Sequence, residues 1–405
     1  MINIIKKYKI LCDIILNIVA TALPLLTLQI VVLPLMATTL SEDKYGYLLS
    51  ITSLITIVSV TLGNSLNNIR LLEQYNYSSK GYCGDFNIIL LIEVIGNIFF
   101  VLIGLRFLGE PLTPVEIFLI VLYSVFTIMR EYYIVNYRIK LNYIAIVWNN
   151  IALIGGYIIG YFIYTIFNIW IAPYLVGTLF GLMHVLYKNE LIYEPLLRTK
   201  LFKPSAYKTI ILCMAGILSN ALAYSDRLLI YPILGGKSVA IYFAASFLGK
   251  IISTAIGPVI SVILSYLSKA NTVPLKKIYF SLALSVVTAI IGYILGIAIS
   301  QPILSILYPF WAQEATKYIK LTTATAMIIM CTSILKPFVL RYCNINWQIT
   351  TSLIPFIVYL ILTVLLYPTM GLYGFCASIL ISNLLKYFIL LGAFFKEISR
   401  RMDEK

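Results

Sequence analysis

Residues 207–234, YKTIILCMAGILSNALAYSDRLLIYPIL, decide the fold class. The run exceeds the ~20 apolar residues that a helix needs to cross a bilayer, and its only charges are Lys208, Asp226 and Arg227. Its polar residues are ordered. Projected at about 100° per residue, Asn220, Tyr224, Arg227 and Tyr231 form one narrow stripe, whereas Asp226 points away with Ser219. A charge held at membrane depth is costly and marks either a pathway or a packed interhelical contact. The reading that follows is a spanning helix with one polar and one lipid-compatible face.

The rest of the chain repeats the pattern. Of 405 residues, 61% are hydrophobic and only 11% charged, and the mean hydropathy is +0.95. A soluble domain carries about 25% charged residues, and no soluble interior of this size hides so much apolar surface. Twelve spans are expected, six in each half of the chain. The first six are Ile10–Thr38, Tyr45–Leu72, Phe86–Leu108, Pro114–Tyr137, Asn142–Tyr164 and Phe167–Leu186. The second six are Tyr207–Leu234, Val239–Leu267, Pro274–Ile299, Tyr318–Leu340, Trp347–Leu366 and Leu372–Phe395. Runs this long exclude a barrel, whose strands alternate over about ten residues. The six cysteines show no CxxC pair, and His184 is the single histidine, so neither a zinc site nor a histidine-based triad is expected. The absence of a Walker A motif speaks against ATP as the energy source.

The net charge of +14 is a matter of topology. With the N-terminus inside, 22 of the 30 basic residues fall at inner loops or inner helix ends, and only Lys44, Arg106, Lys237, Lys317 and Lys320 fall outside. Basic residues concentrate on the cytoplasmic side, so both termini are expected in the cytoplasm and no nucleic-acid partner is implied. The longest inner connection gives the division: a six-helix lobe over 1–187, a linker over 188–206, a second six-helix lobe over 207–396 and a tail over 397–405. Both lobes begin inside, so an internal repeat would be parallel. The expected architecture is an all-α polytopic membrane protein of twelve helices in two lobes around a central cavity. No outer loop is long enough to carry a catalytic domain, which argues against a membrane enzyme.

The remaining cations, Arg227, Lys250 and Lys386, lie deepest and are the leading candidates for binding an anionic substrate. Lys250 shares a stripe with Tyr242, Ser246, Ser253 and Gly257; Lys386 shares one with Ser378 and Ser382. Arg130, Asn220, Tyr224 and Tyr242 are secondary candidates, the tyrosines as hydrogen-bond donors or stacking surfaces for sugars. Glu93 and Asp226 are candidates for a coupling ion. Against each stands a packing role: small and polar stripes join helices in lipid, Asp226 and Lys250 can pair with each other, and Arg130 and Glu131 can pair with Glu93, Arg70 or each other's neighbours. Asp13, Lys336 and Arg341 lie near the interface, where long side chains snorkel.

Ser225-Asp226-Arg227-Leu228-Leu229-Ile230, then Leu234-Gly235-Gly236, then Val239-Ala240-Ile241-Tyr242-Phe243-Ala244-Ala245-Ser246, resembles the Wzx-type polysaccharide flippases. These belong to the multidrug/oligosaccharidyl-lipid/polysaccharide exporter superfamily. Leu33-Pro34-Leu35, with Leu40, Asp43 and Tyr45-Gly46, looks like the first hairpin of that family; Ala240 departs from its more usual glycine. The resemblance implies a bacterial inner-membrane flippase that moves undecaprenyl-pyrophosphate-linked repeat units outward for O-antigen or capsule biosynthesis. It also implies alternating access, a polymerase and a chain-length regulator as partners, and no cofactor. An ion-coupled multidrug exporter of the same superfamily and a glycan polymerase are the competing readings.

Overall fold

The computed structural model describes residues 22–140, 142–187, 189–254, 275–342 and 346–403. The chain divides into two compact units, Met1–Leu228 and Leu229–Lys405. Among the described residues there is no strand. Among these residues nine helices are long and apolar enough to cross a membrane and two shorter ones are apolar; one of the nine, 52 residues long, has the length of two spans. The chain is therefore a multi-pass helical membrane protein, as its hydropathy requires.

Unit 1 opens with α1 (Ala22–Ala37), α2 (Glu42–Lys80), α3 (Asp85–Leu108), α4 (Pro114–Ile139), α5 (Tyr143–Phe167) and α6 (Ala172–Leu186). Residues Ile10–Thr21 of the first expected span, with Asp13, lie outside the described residues. Local signals set the ends. Ser41 caps α2, Thr113 and Glu116 form a reciprocal capping box on α4, and Gly81 and Gly109 close α2 and α3 in the left-handed conformation. The second span was expected to stop at Leu72, yet α2 continues to Lys80. Its last turns are polar enough to read as a loop, but Glu73 is paired with Lys208 at 2.5 Å and Arg70 with Glu194 at 2.5 Å. Both α1 and α2 contain a π-helical turn, at Thr27–Val32 and Thr56–Val60. Helices α5 and α6 pack closely. A side chain at Gly156 would meet the Val176 carbonyl at 2.6 Å and one at Gly160 the Ala172 carbonyl at 2.5 Å. Small residues admit such backbone approach in lipid.

The connection 188–206 is strapped onto unit 1. Arg70 forms a two-pronged bridge to Glu194 and lies 4.6 Å over the Phe86 ring. Asp85 accepts from the Thr199 amide at 2.7 Å and from the Tyr77 hydroxyl at 2.8 Å, and Asn87 donates to the Leu191 carbonyl at 2.9 Å. Gly84, at φ 101°, lets the Pro195 carbonyl approach so closely that no side chain fits. The connection contains a short 3-10 turn, Glu190–Tyr193.

A continuous helical stretch, Phe202–Thr254, follows. It is broken only at Gly235, whose φ 80° and ψ 172° lie in a region that is essentially glycine's own. The arms before and after it are α7 (202–234) and α8 (236–254); α7 starts five residues before the expected Tyr207. The remainder of unit 2 comprises α9 (Leu275–Leu307), a short helix Ala312–Thr316, α10 (Ile319–Tyr342), α11 (Asn346–Met370) and α12 (Leu372–Asp403). Its buried side chains include Leu335, Phe338, Leu390 and Phe394, which join α10 to α12.

Candidate functional site

Unit 1 neutralises most of its buried charge internally. Arg130 is 8% exposed and uses its whole fork: Nε donates to Asn149 at 3.1 Å, one Nη to Asn150 at 2.6 Å and the other to Glu131 at 2.7 Å. Adjacent residues diverge on a helix, but these two side chains are long enough to fold back and meet. Asn149 passes the network on to the Gly181 carbonyl, tying α4, α5 and α6 together. Only glycine suits position 181, because a β-carbon there would sit 2.7 Å from Arg130 Nε. A second network runs from Arg138 to Asn67 and Asn68 at 2.5 and 2.9 Å. A third joins Ser59, Asn97 and Ser124 across α2, α3 and α4 at 2.7 and 3.0 Å.

Glu93 differs from all of these. It is 9% exposed, on the third turn of α3. One carboxyl oxygen accepts from the Cys213 thiol of α7 at 3.3 Å, and the other has no partner. Cys213 in turn meets the Ser65 hydroxyl of α2. Farther along α7, Asn220 donates to Thr61 at 2.7 Å, Tyr224 packs partly buried against the apolar core of unit 1, and Arg227 is 7% exposed. The Arg227 backbone carbonyl accepts from Ser50 at 3.3 Å, and the guanidinium lies within electrostatic reach of Tyr174. The expected stripe therefore borders α2 at Asn220 and Arg227. The Asp226 side chain lies outside the described residues, so its suggested pairing with Lys250 does too.

Unit 2 has the opposite balance. Between residues 229 and 396 the sequence contains a single acid, Glu314, against Lys237, Lys250, Lys336, Arg341, Lys386 and six further basic residues. Glu314 is already held by Lys237 at 3.3 Å. The Lys250 ammonium lies 5.5 Å from the centre of the Tyr242 ring, a cation–π contact within α8. Lys386 is half-buried at mid-length of α12, and another cation, Lys336 of α10, lies within electrostatic reach of it. Lys336 ends the apolar window of its helix, as a snorkelling residue should. A turn away from Lys386, Ser382 is fully buried with an unpartnered hydroxyl. The candidates thus fall into separate groups: Arg130, Glu93, Asn220, Tyr224 and Arg227 in unit 1, and Tyr242, Lys250 and Lys386 in unit 2. Lys336 and Cys213 enter as neighbours that the sequence did not single out for this purpose. Lys336 looks like an ordinary interfacial lysine, and Cys213 like a small apolar filler.

This fold has solved counterparts. The lipid II flippase MurJ in an inward closed conformation superposes with a TM-score of 0.69 at 14% identity, over 96% of this chain and 87% of that one. An inward-facing multidrug resistance MATE family transporter of the MOP superfamily gives 0.63 at 13% identity, over 95% and 98%. A MOP superfamily transporter from Pyrococcus furiosus, described as having a binding pocket of reverse polarity that suggests a different function, gives 0.56 at 14% identity, over 96% and 95%. Neither a family model nor a curated protein matches the sequence. At these identities the likeness establishes the fold: the chain has the architecture shared by MurJ and the MATE transporters over nearly its whole length.

Proposed function

We propose that the chain is a flippase or exporter for an anionic, lipid-linked substrate, best matched by an undecaprenyl-pyrophosphate-linked oligosaccharide of surface-polysaccharide biosynthesis. The observation that carries this reading is the charge of unit 2. Its helix α12 holds Lys386 at membrane depth within electrostatic reach of a second cation, Lys336, and the one acid of the segment 229–396, Glu314, is already paired with Lys237. Buried cations are normally matched by acids; here the matching charge is assigned to the substrate. In unit 2, Lys386 takes the pyrophosphate or acidic sugars, with Lys250 and Tyr242 as further candidate contacts; in unit 1, Arg227, Asn220 and Tyr224 are separate candidates. Arg130, balanced by Glu131, takes the supporting part of holding α5 and α6.

Transport follows alternating access, with both termini in the cytoplasm of a bacterial cell, a placement supported by the excess of basic residues in the expected inner loops. Each negative charge moved outward from a negative interior gains about 2.3 kcal/mol per 100 mV. A multidrug exporter for cations meets the wrong sign in unit 2. The fold accommodates this difference, since a binding pocket of reverse polarity is described for the Pyrococcus furiosus transporter.

Native mass spectrometry of the purified protein with undecaprenyl pyrophosphate, undecaprenol and ethidium tests the reading. Retention of the pyrophosphate over the alcohol is expected, weakened about tenfold or more in Lys386→Ala, the worth of one charge-assisted contact. Equal retention of alcohol and pyrophosphate, or preference for ethidium, contradicts it.

A further inference from the structure

The carboxyl of Glu93 has no task in binding an anion, and its surroundings name a different ligand. It lies 9% exposed on α3, about 12 Å along the helix from Asp85 at 1.5 Å per residue. One oxygen meets only the Cys213 thiol at 3.3 Å and the other meets nothing. The buried cations on the packed helices α2 and α4 have other partners. On α2, Arg70 is held by Glu194, and Glu73 by Lys208 of α7. On α4, Arg130 is held by Glu131, and Arg138 donates to Asn67 and Asn68 of α2. Also on α4, Tyr132 lies within electrostatic reach of Glu93 and is fully buried, with its hydroxyl unpartnered. Among the described residues none of these cations forms an ion pair with Glu93, whose one bonded neighbour is the Cys213 thiol.

A metal ion does not fit the gap. Hard cations gather about six oxygen ligands, whereas the neighbour that bonds Glu93 is a thiol. A single proton does fit. It neutralises the group without further ligands and occupies the oxygen that has no partner, while the other oxygen keeps the thiol donor.

We propose that Glu93 is a proton-binding site of unit 1, built from α3 and α7, and that it supplies the counter-ion of the transport cycle. The inference rests on the transporter reading for the word counter-ion, but the site itself does not. With Glu93 carrying the proton, the Cys213 S–H donates to its carbonyl oxygen. When α7 shifts and water reaches the carboxyl, the O–H bond breaks, the proton passes to water and the carboxylate remains hydrated. Cys213 is thereby a positioning residue that reports the state of α7 to α3.

Infrared difference spectroscopy of the full-length protein in lipid, with Glu93→Gln subtracted from wild type, reads the site directly. The expected spectrum shows a carboxylic-acid carbonyl band at neutral pH that vanishes in Glu93→Gln, shifts in Cys213→Ala and is unmoved by replacing potassium with sodium. Absence of the band, or its loss on adding sodium, overturns the proposal. Cys213→Ala leaves the carboxyl in place, so an unshifted band in that variant would also contradict it, even if Glu93→Gln failed to fold. The spectrum needs no substrate. A band that behaves as expected in a protein that does not bind prenyl pyrophosphate would defeat the substrate reading and leave the proton site standing.

Discussion

Single residues show how differently this chain treats buried charge. Arg70 is 4% exposed and carries a two-pronged carboxylate bridge, an aromatic face and the strap of the 188–206 connection. Removing one partner of such a pair leaves the other buried and unbalanced, at a cost of about 3–5 kcal/mol. Arg70→Ala should therefore lower the thermal midpoint of the detergent-solubilised protein by several degrees, read by intrinsic fluorescence, whereas Lys140→Ala should leave it unchanged. Lys140 pairs with Glu190 at 3.0 Å in the open, with side chains 47% and 79% exposed; such surface pairs are worth little. At this scale the sequence was partly legible. Arg227, Lys250, Lys386 and Glu93 stood out because charge at membrane depth is rare. Their partners did not stand out: Cys213 lies 120 residues from Glu93, and Lys336 sits on a different helix from Lys386. No periodicity within one helix encodes such a meeting.

At the scale of elements, apolar runs announced nearly every helix, because the bilayer leaves the backbone no alternative to internal hydrogen bonding. The ends were harder to read. The polar continuation of α2 to Lys80 depends on Glu73 and Arg70 finding Lys208 and Glu194, contacts that exist only after folding. The π-helical turns and the break at Gly235 are likewise backbone events without a hydropathy signature. Gly235 offers a clean test. No atom lies within 4 Å of a β-carbon placed there, so Gly235→Ala meets only backbone strain, about 1–3 kcal/mol. A lowered thermal midpoint without loss of helix content by circular dichroism is expected; an unchanged midpoint would show that the backbone at 235 relaxes freely. Between α5 and α6 the obstacle is steric. Gly156→Val drives side-chain atoms into the Val176 carbonyl, and overpacking of this kind costs about 1–3 kcal/mol. The same fluorescence melt should show it, with the loss concentrated in unit 1 if proteolysis is followed in parallel.

For the whole molecule, composition and loop charge were sufficient to read a multi-pass helical bundle in two parts, and the structural likeness to MurJ and the MATE transporters agrees. The substrate is a finer matter, because one fold serves unrelated cargoes and function resides in the site. What separates the readings physically is sign: over residues 229–396 the sequence carries a single acid, Glu314, paired with Lys237, among a large excess of basic residues. The most direct measurement is lipid translocation in proteoliposomes, using a fluorescent undecaprenyl-pyrophosphate-linked disaccharide and a membrane-impermeant quencher. Protein-bearing vesicles are expected to move the label between leaflets faster than empty ones. A potential negative on the side of origin should speed the movement, and Lys386→Ala should slow it about tenfold. A rate equal to that of empty vesicles, with cationic dye expelled by the same preparation, would contradict it.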